Sequence, residues 1–118
     1  MIPFTSNQRY FLYNGSMDMR KGCDTLCAVI TNQMQNKIIN GDVFVFINKR
    51  HTLIRMICFS GGGIWTLGKR LELGTYEMPA ISEGTTSYPL TYTQLLCITE
   101  GIKLKSIQYR KRYRLKNG

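Results

Sequence analysis

The chain has one histidine and only seven carboxylates in 118 residues, and each shortage excludes something. A nucleophile–histidine–acid site would have to use His51, in the polar stretch Asn48–Thr52. It would also need a nearby serine or cysteine and an orienting carboxylate. No nucleophile-elbow pattern is present, so His51 reads as an exposed turn residue. The acids are Asp18, Asp24, Asp42, Glu72, Glu77, Glu83 and Glu100, and their spacing does not demand a shared Mg²⁺. The triplet Gly61–Gly63 lacks the Gly-Lys-Ser/Thr ending of a phosphate loop and leads into a strand pattern, so it reads as a hairpin turn. The chain is therefore expected to be no enzyme and to use no cofactor.

The spacing of the four cysteines is informative too. Cys23 and Cys27 make the one close pair, while Cys58 and Cys97 lie singly inside apolar runs. Structural zinc sites use two such pairs, so buried thiols are expected in place of a metal site or disulfides. No apolar run approaches membrane-spanning length, and the opening "MIPFTSNQRYFLY" is too short and polar for a secretory leader. The expected location is the cytoplasm. The sequon Asn14-Gly15-Ser16 then reads as a turn.

Acidic residues are missing altogether from the last 16 positions. That stretch holds Lys103, Lys105, Arg110, Lys111, Arg112, Arg114 and Lys116, which are 7 of the 16 basic residues. The first 102 residues carry the other 9 against 7 acids, so most of the formal net charge of +9 sits in the tail. The expected organisation is one domain over 1–102 and a basic arm over 103–118. Such asymmetry points to a polyanionic partner, usually nucleic acid. In "IQYRKRYRLK", tyrosines alternate with arginines, which suits stacking and phosphate contacts as well as a solvated terminus.

What is present patterns into α+β. "QRYFLY" (Gln8–Tyr13) is β-prone and stops at Asn14-Gly15. Met19, Cys23, Leu26, Cys27, Ile30 and Met34 recur at helical spacing, which predicts a helix from about Asp18 to Gln35 with Asp18 as N-cap. "VFVFI" is apolar on both faces, as a buried central strand should be. "LIRMICF" and "IWTLGKRL" follow after short turns, and "GTYEMP" reads as a short edge strand. Residues 80–90 read as a loop. "TYTQ" fits a capping box for a short helix reaching Glu100, with Gly101 as its C-terminal stop. The expected architecture is a single domain, with an antiparallel β meander packed against a long N-terminal helix and a short C-terminal one.

One local rule is broken. The predicted long helix would carry Arg20 and Lys21 in its first turn, where the helix dipole disfavours cations. Two readings are equal on physical grounds. With Gly22, the cations and free N–H groups form a phosphate seat. Otherwise both side chains splay into solvent, or Arg20 pairs with Asp24. Lys49-Arg50 in a turn and Lys69-Arg70 at a strand end are ordinary exposed cations, unless the fold joins them to Arg20 and Lys21 as one basic face.

The segments "DMRKGCDTL", "GDVFVFINKRHTLIRMI", "GGGIWTLGKRLELGTYEMP" and "LTYTQLLCITEGI" resemble the Orf-two, or TnpB, accessory proteins of the insertion-sequence sixty-six transposons. The match runs from about Tyr10 to Ile102, and the basic tail resembles Bacteroides-like members. This family is not the RNA-guided nuclease of the same name. The resemblance implies a non-catalytic protein encoded beside a DDE transposase and a small helix-turn-helix protein. The positions it marks are Asp18, Arg20, Lys21, Gly22, Asp24 and Leu26, then Asn48, Lys49 and Arg50, then Lys69, Arg70, Leu71, Glu72 and Gly74. The chain departs from the family pattern at Phe59-Ser60, where many members carry an acidic pair such as Trp-Asp, and also at Gly68 and Met78-Pro79. The expected function is a DNA-binding accessory subunit that assists the transposase at element ends. Its nucleic-acid-binding residues are expected to be Arg20, Lys21, Gly22, Lys49, Arg50, Lys69, Arg70, Arg110, Lys111, Arg112 and Arg114. The alternative is a module that docks on the transposase without contacting DNA.

Overall fold

A computed structural model describes residues 4–18, 20–34 and 38–100 of the chain. Its centre is strand β2 (Val43–Ile47), buried at every position. Apolar side chains on both faces require cover on both sides, and the sheet provides it. The order is β4-β3-β2-β1-β5, with β1 at Tyr10–Ser16, β3 at Leu53–Ser60, β4 at Gly63–Arg70 and β5 at Ser87–Leu90.

This corrects the architecture expected from sequence. Among the described residues the sheet is five-stranded and mixed, and no long N-terminal helix is present. Strands β2, β3 and β4 pair antiparallel in succession, but β1 runs parallel to β2 and antiparallel to β5. A parallel pair needs a crossover connection, and the segment carrying helix α1 (Cys23–Val29) supplies it. The return to β5 crosses the opposite face. There Tyr76, 1% exposed, is buried in the segment between β4 and β5, and its Oη donates to the Lys69 carbonyl at 2.8 Å.

Helix α1 is short for a local reason. The Asp18 carboxylate accepts from the Arg20 backbone N–H at 2.9 Å, and the Lys21 N–H donates to the Asp18 carbonyl. An aspartate that bonds the backbone just ahead of it stabilises a turn in competition with a helix. Gly22 is therefore the N-cap, seven α-helical residues follow, and Ile30–Met34 continues as a π turn.

Alternation along the strands sorts the core into two layers. Phe11, Phe44, Phe46 and Ile57 meet Leu26, Val29, Ile30 and Met34 on one face. Tyr10, Leu12, Val45 and Met56 meet Leu95 and Ile98 of helix α2 (Tyr92–Thr99) on the other. The sheet is thus a middle layer with one short helix on each side.

The capping box read in "TYTQ" is present: Gln94 N–H donates to Thr91 Oγ1 at 3.0 Å, and Thr91 N–H donates to Gln94 Oε1 at 2.8 Å. Thr91→Ala is expected to cost about 1 kcal/mol, the usual loss of an N-cap, read by chemical denaturation. Gly61 and Gly62, at φ +57° and +77°, form the two-residue turn joining β3 to β4. A tight hairpin of this kind needs positive φ at both central positions.

Two local readings change. Asn14-Gly15 is no turn: β1 runs through it to Ser16, with an irregular register between Leu12 and Ser16. A Cβ at Gly15 would lie 3.0 Å from the Tyr13 ring, which would have to give way. "GTYEMP" forms no strand, and β5 lies instead in the stretch read as a loop.

Candidate nucleic-acid interface

The C-terminal ends of β1 and β2 lie side by side, with Ser16 paired to Ile47 and the Met17 N–H donating to the Ile47 carbonyl. The segment leading to α1 and the β2–β3 turn therefore emerge at the same end of the sheet. β4 finishes there too, with Arg70 opposite Leu53.

Asn48 builds the β2–β3 turn. Its Oδ1 accepts from the Thr52 and Leu53 N–H groups at 2.9 and 3.0 Å, and its Nδ2 donates to Thr52 Oγ1. The His51 N–H closes the turn on the Asn48 carbonyl, and His51 takes a left-handed φ of 58°. Lys49 and Arg50 are left exposed at the tip. His51 is half-buried here, not an exposed turn residue.

Arg20 and Lys21 precede the helix and do not occupy its first turn. Arg20 pairs with Asp18, Nη2 to Oδ2 at 2.9 Å, and not with Asp24. These hydrogen bonds hold the Asp18 carboxyl down at about 2, against an ordinary 3.8. A carboxyl lowered in the folded state stabilises it above the unfolded value and loses that contribution as pH falls through the folded one. The Arg20 backbone amide resonance is accordingly expected to hold steady above about pH 4 and to move as pH falls towards 2, followed by NMR.

Arg55 was not singled out in the sequence. It projects from β3 onto the α1 face, and its Nη1 donates to the Lys21 carbonyl at 2.9 Å. This bond ties the loop before α1 to the sheet. A lone arginine alternating with apolar residues in "LIRMICF" was the available signal. Arg70 shares that face by strand alternation.

Lys69 points the other way. Its Nζ donates to the Thr99 carbonyl at 2.8 Å, at the C-terminal end of α2, where a cation complements the dipole and caps an open carbonyl. The structure thus brings Arg20, Lys21, Gly22, Lys49, Arg50 and Arg70 to one end, and Lys69 to the opposite face of that end. Arg110, Lys111, Arg112 and Arg114 lie outside the described residues, as does the boundary expected near 102.

The acids do not converge. Asp42, 2% exposed, lies at the far end of β2. It accepts from Arg9 Nε at 2.8 Å, from Arg9 Nη2, and from the Ile39 N–H. Among the described residues no three His, Cys, Asp or Glu side chains gather as metal ligands. Burial pushes the thiols of Cys58 and Cys97 up, and Cys27 rises to about 11 through burial and the neighbouring Cys23. No described helix is long and apolar enough to cross a membrane.

The IS66 Orf2-like protein family model matches residues 8–109. The chain belongs to this family of insertion-sequence accessory proteins. Two Sinorhizobium fredii proteins are similar to it. The uncharacterized protein y4hO is 28% identical over 102 residues, covering 86% of this chain and 87% of its own. The uncharacterized protein y4jC is 30% identical over 84 residues, covering 71% and 72%. No solved structure matches.

Proposed function

We propose that this family member is a non-catalytic subunit that binds DNA and assists the transposase at the ends of the element. The observation that carries the reading is the clustering of cations at one end of the sheet. Lys49 and Arg50 sit at the tip of an Asn48-organised turn, Arg70 ends the adjoining strand, and Lys21 is tethered by Arg55. Phosphate contacts from this end and from the basic arm would supply salt-sensitive affinity, with specificity left to fewer base contacts. Arg20 contributes less than its position suggests, because Asp18 already neutralises it.

The test is fluorescence anisotropy of a labelled element-end duplex and a scrambled duplex, titrated across salt. Preference for the element end supports end recognition. Equal, steeply salt-dependent binding to both reduces the protein to a general DNA binder. Leu73 favours a second reading. It is 90% exposed three residues beyond Arg70, which suits docking on the transposase without DNA. Absence of duplex binding at low salt, together with recovery of the transposase from nuclease-treated lysate, would establish that reading instead.

A further inference from the structure

We propose that β4 pairs antiparallel with the β4 of a second copy, joining two sheets across a twofold axis at Thr66. The two edges of the sheet differ. β5 is four residues long and contains Pro89, features that blunt an edge against further pairing. β4 is eight residues, exposed at every position, with no proline and no break in its register with β3. Its first five residues hold Ile64, Trp65 and Leu67, at 44%, 68% and 36% exposure. Such an edge is a template for another strand.

The hydrogen-bond phase fixes which groups are open. The Leu71 N–H donates to the Thr52 carbonyl. Because facing pairs alternate in an antiparallel ladder, Gly63, Trp65, Leu67 and Lys69 direct their backbone groups to β3. Ile64, Thr66, Gly68 and Arg70 direct theirs outward.

Only a register that pairs outward residues with outward residues is possible. Centring it on Thr66 sets Thr66 against Thr66 of the second copy. Trp65 then faces Leu67, Ile64 faces Gly68, Lys69 faces Gly63, and Arg70 faces Gly62. Trp65 and Leu67 of the two copies cover one another on the α2 face, and every cation meets a glycine. On the α2 face, Trp65 and Leu67 also border an open apolar depression of about 530 Å³ shared with Phe4 and Cys58, into which the second copy's tryptophan and leucine extend.

Charge selects this second copy and its direction. In the antiparallel arrangement the two Lys69 side chains are about 20 Å apart, six residues at about 3.3 Å each, beyond the screening length of about 8 Å. A parallel arrangement near register would bring the Lys69-Arg70 pairs of the two copies together on strands about 4.8 Å apart. The pairing uses the strand edge and leaves Lys49 and Arg50 free; it shares only Arg70 with the DNA reading, and there sets it against a glycine.

Sedimentation velocity on the full chain, from low micromolar to submillimolar concentration, tests it alongside Thr66→Lys and Thr66→Val. Lysine at 66 sets two ammonium groups face to face on the axis, while Thr66 is exposed and its N–H serves no bond to β3. The expected result is a concentration-dependent dimer for wild type and Thr66→Val, and a monomer for Thr66→Lys with an unchanged circular dichroism spectrum. A wild-type monomer throughout, or a Thr66→Lys dimer as tight as wild type, overturns the proposal. So does a monomer that dimerises only after removal of 103–118, which would give the edge to the chain's own arm.

Discussion

Phe44→Ala is expected to lower the unfolding free energy by about 3–5 kcal/mol, the usual cost of truncating a buried phenylalanine. Phe44 lies in the central strand and is wholly buried. Its ring stacks on Phe11 at 5.4 Å between centroids and meets Phe59 edge-on at 5.8 Å. Those neighbours come from the strands on either side, β1 and β3, and the α1 layer covers them. They cannot collapse into the space without breaking the ladders that hold them, so the cavity term adds to the lost transfer energy. Urea denaturation should show a lower midpoint with an unchanged slope. Glu83→Ala, on the exposed segment between β4 and β5, serves as the contrast, with an expected change within about 0.5 kcal/mol. Comparable losses at both sites would mean that the aromatic layer is not the centre of the core.

The second large effect concerns binding. Replacing Lys21, Lys49, Arg50 and Arg70 together by alanine should flatten the salt dependence of duplex binding by about 3.6 in the slope of log K against log salt, at about 0.9 per lost phosphate contact. Affinity at low salt should fall by orders of magnitude for element-end and scrambled duplexes alike, because phosphate contacts carry no sequence information. The four side chains are exposed, and none is buried in either core layer. The Arg55 bond uses the Lys21 carbonyl and survives a change of side chain. The fold should therefore persist, and circular dichroism checks it. Removing 103–118 alone should give a separate, additive reduction in slope if the arm also contacts phosphate.

The strands at the centre were legible because their pattern is unambiguous. "VFVFI", apolar on both faces, is β2 at the same boundaries, and three glycines mark the hairpin to β4. The capping box at Thr91 and Gln94 was equally plain, since both partners lie in one short stretch. Pairing was not legible. Nothing in Gln8–Tyr13 says whether a strand lies parallel to β2, because that choice is made by where α1 packs. β5 hid in a Ser-, Gly-, Thr- and Pro-rich stretch because a four-residue edge strand needs little apolar patterning. The start of α1 was misplaced because Met19 and Cys23 continue a helical period that the Asp18 side chain interrupts. That error produced the apparent anomaly of Arg20 and Lys21 in a first turn. They stand in a turn of their own, one paired with Asp18 and the other held through its carbonyl by Arg55. Arg55 itself was passed over as one polar residue in an apolar strand.

On the proposed function, DNA meets the end of the sheet bearing Lys21, Lys49, Arg50 and Arg70. The most direct measurement is a titration of the ¹⁵N-labelled protein with duplex DNA, following backbone amides by NMR. The largest shifts are expected along Lys21–Gly22, Asn48–Thr52 and Lys69–Leu71, with Arg9, Asp42 and Gly61 at the far end unmoved. Shifts centred on that far end, or none in the described domain while DNA still binds, would contradict it.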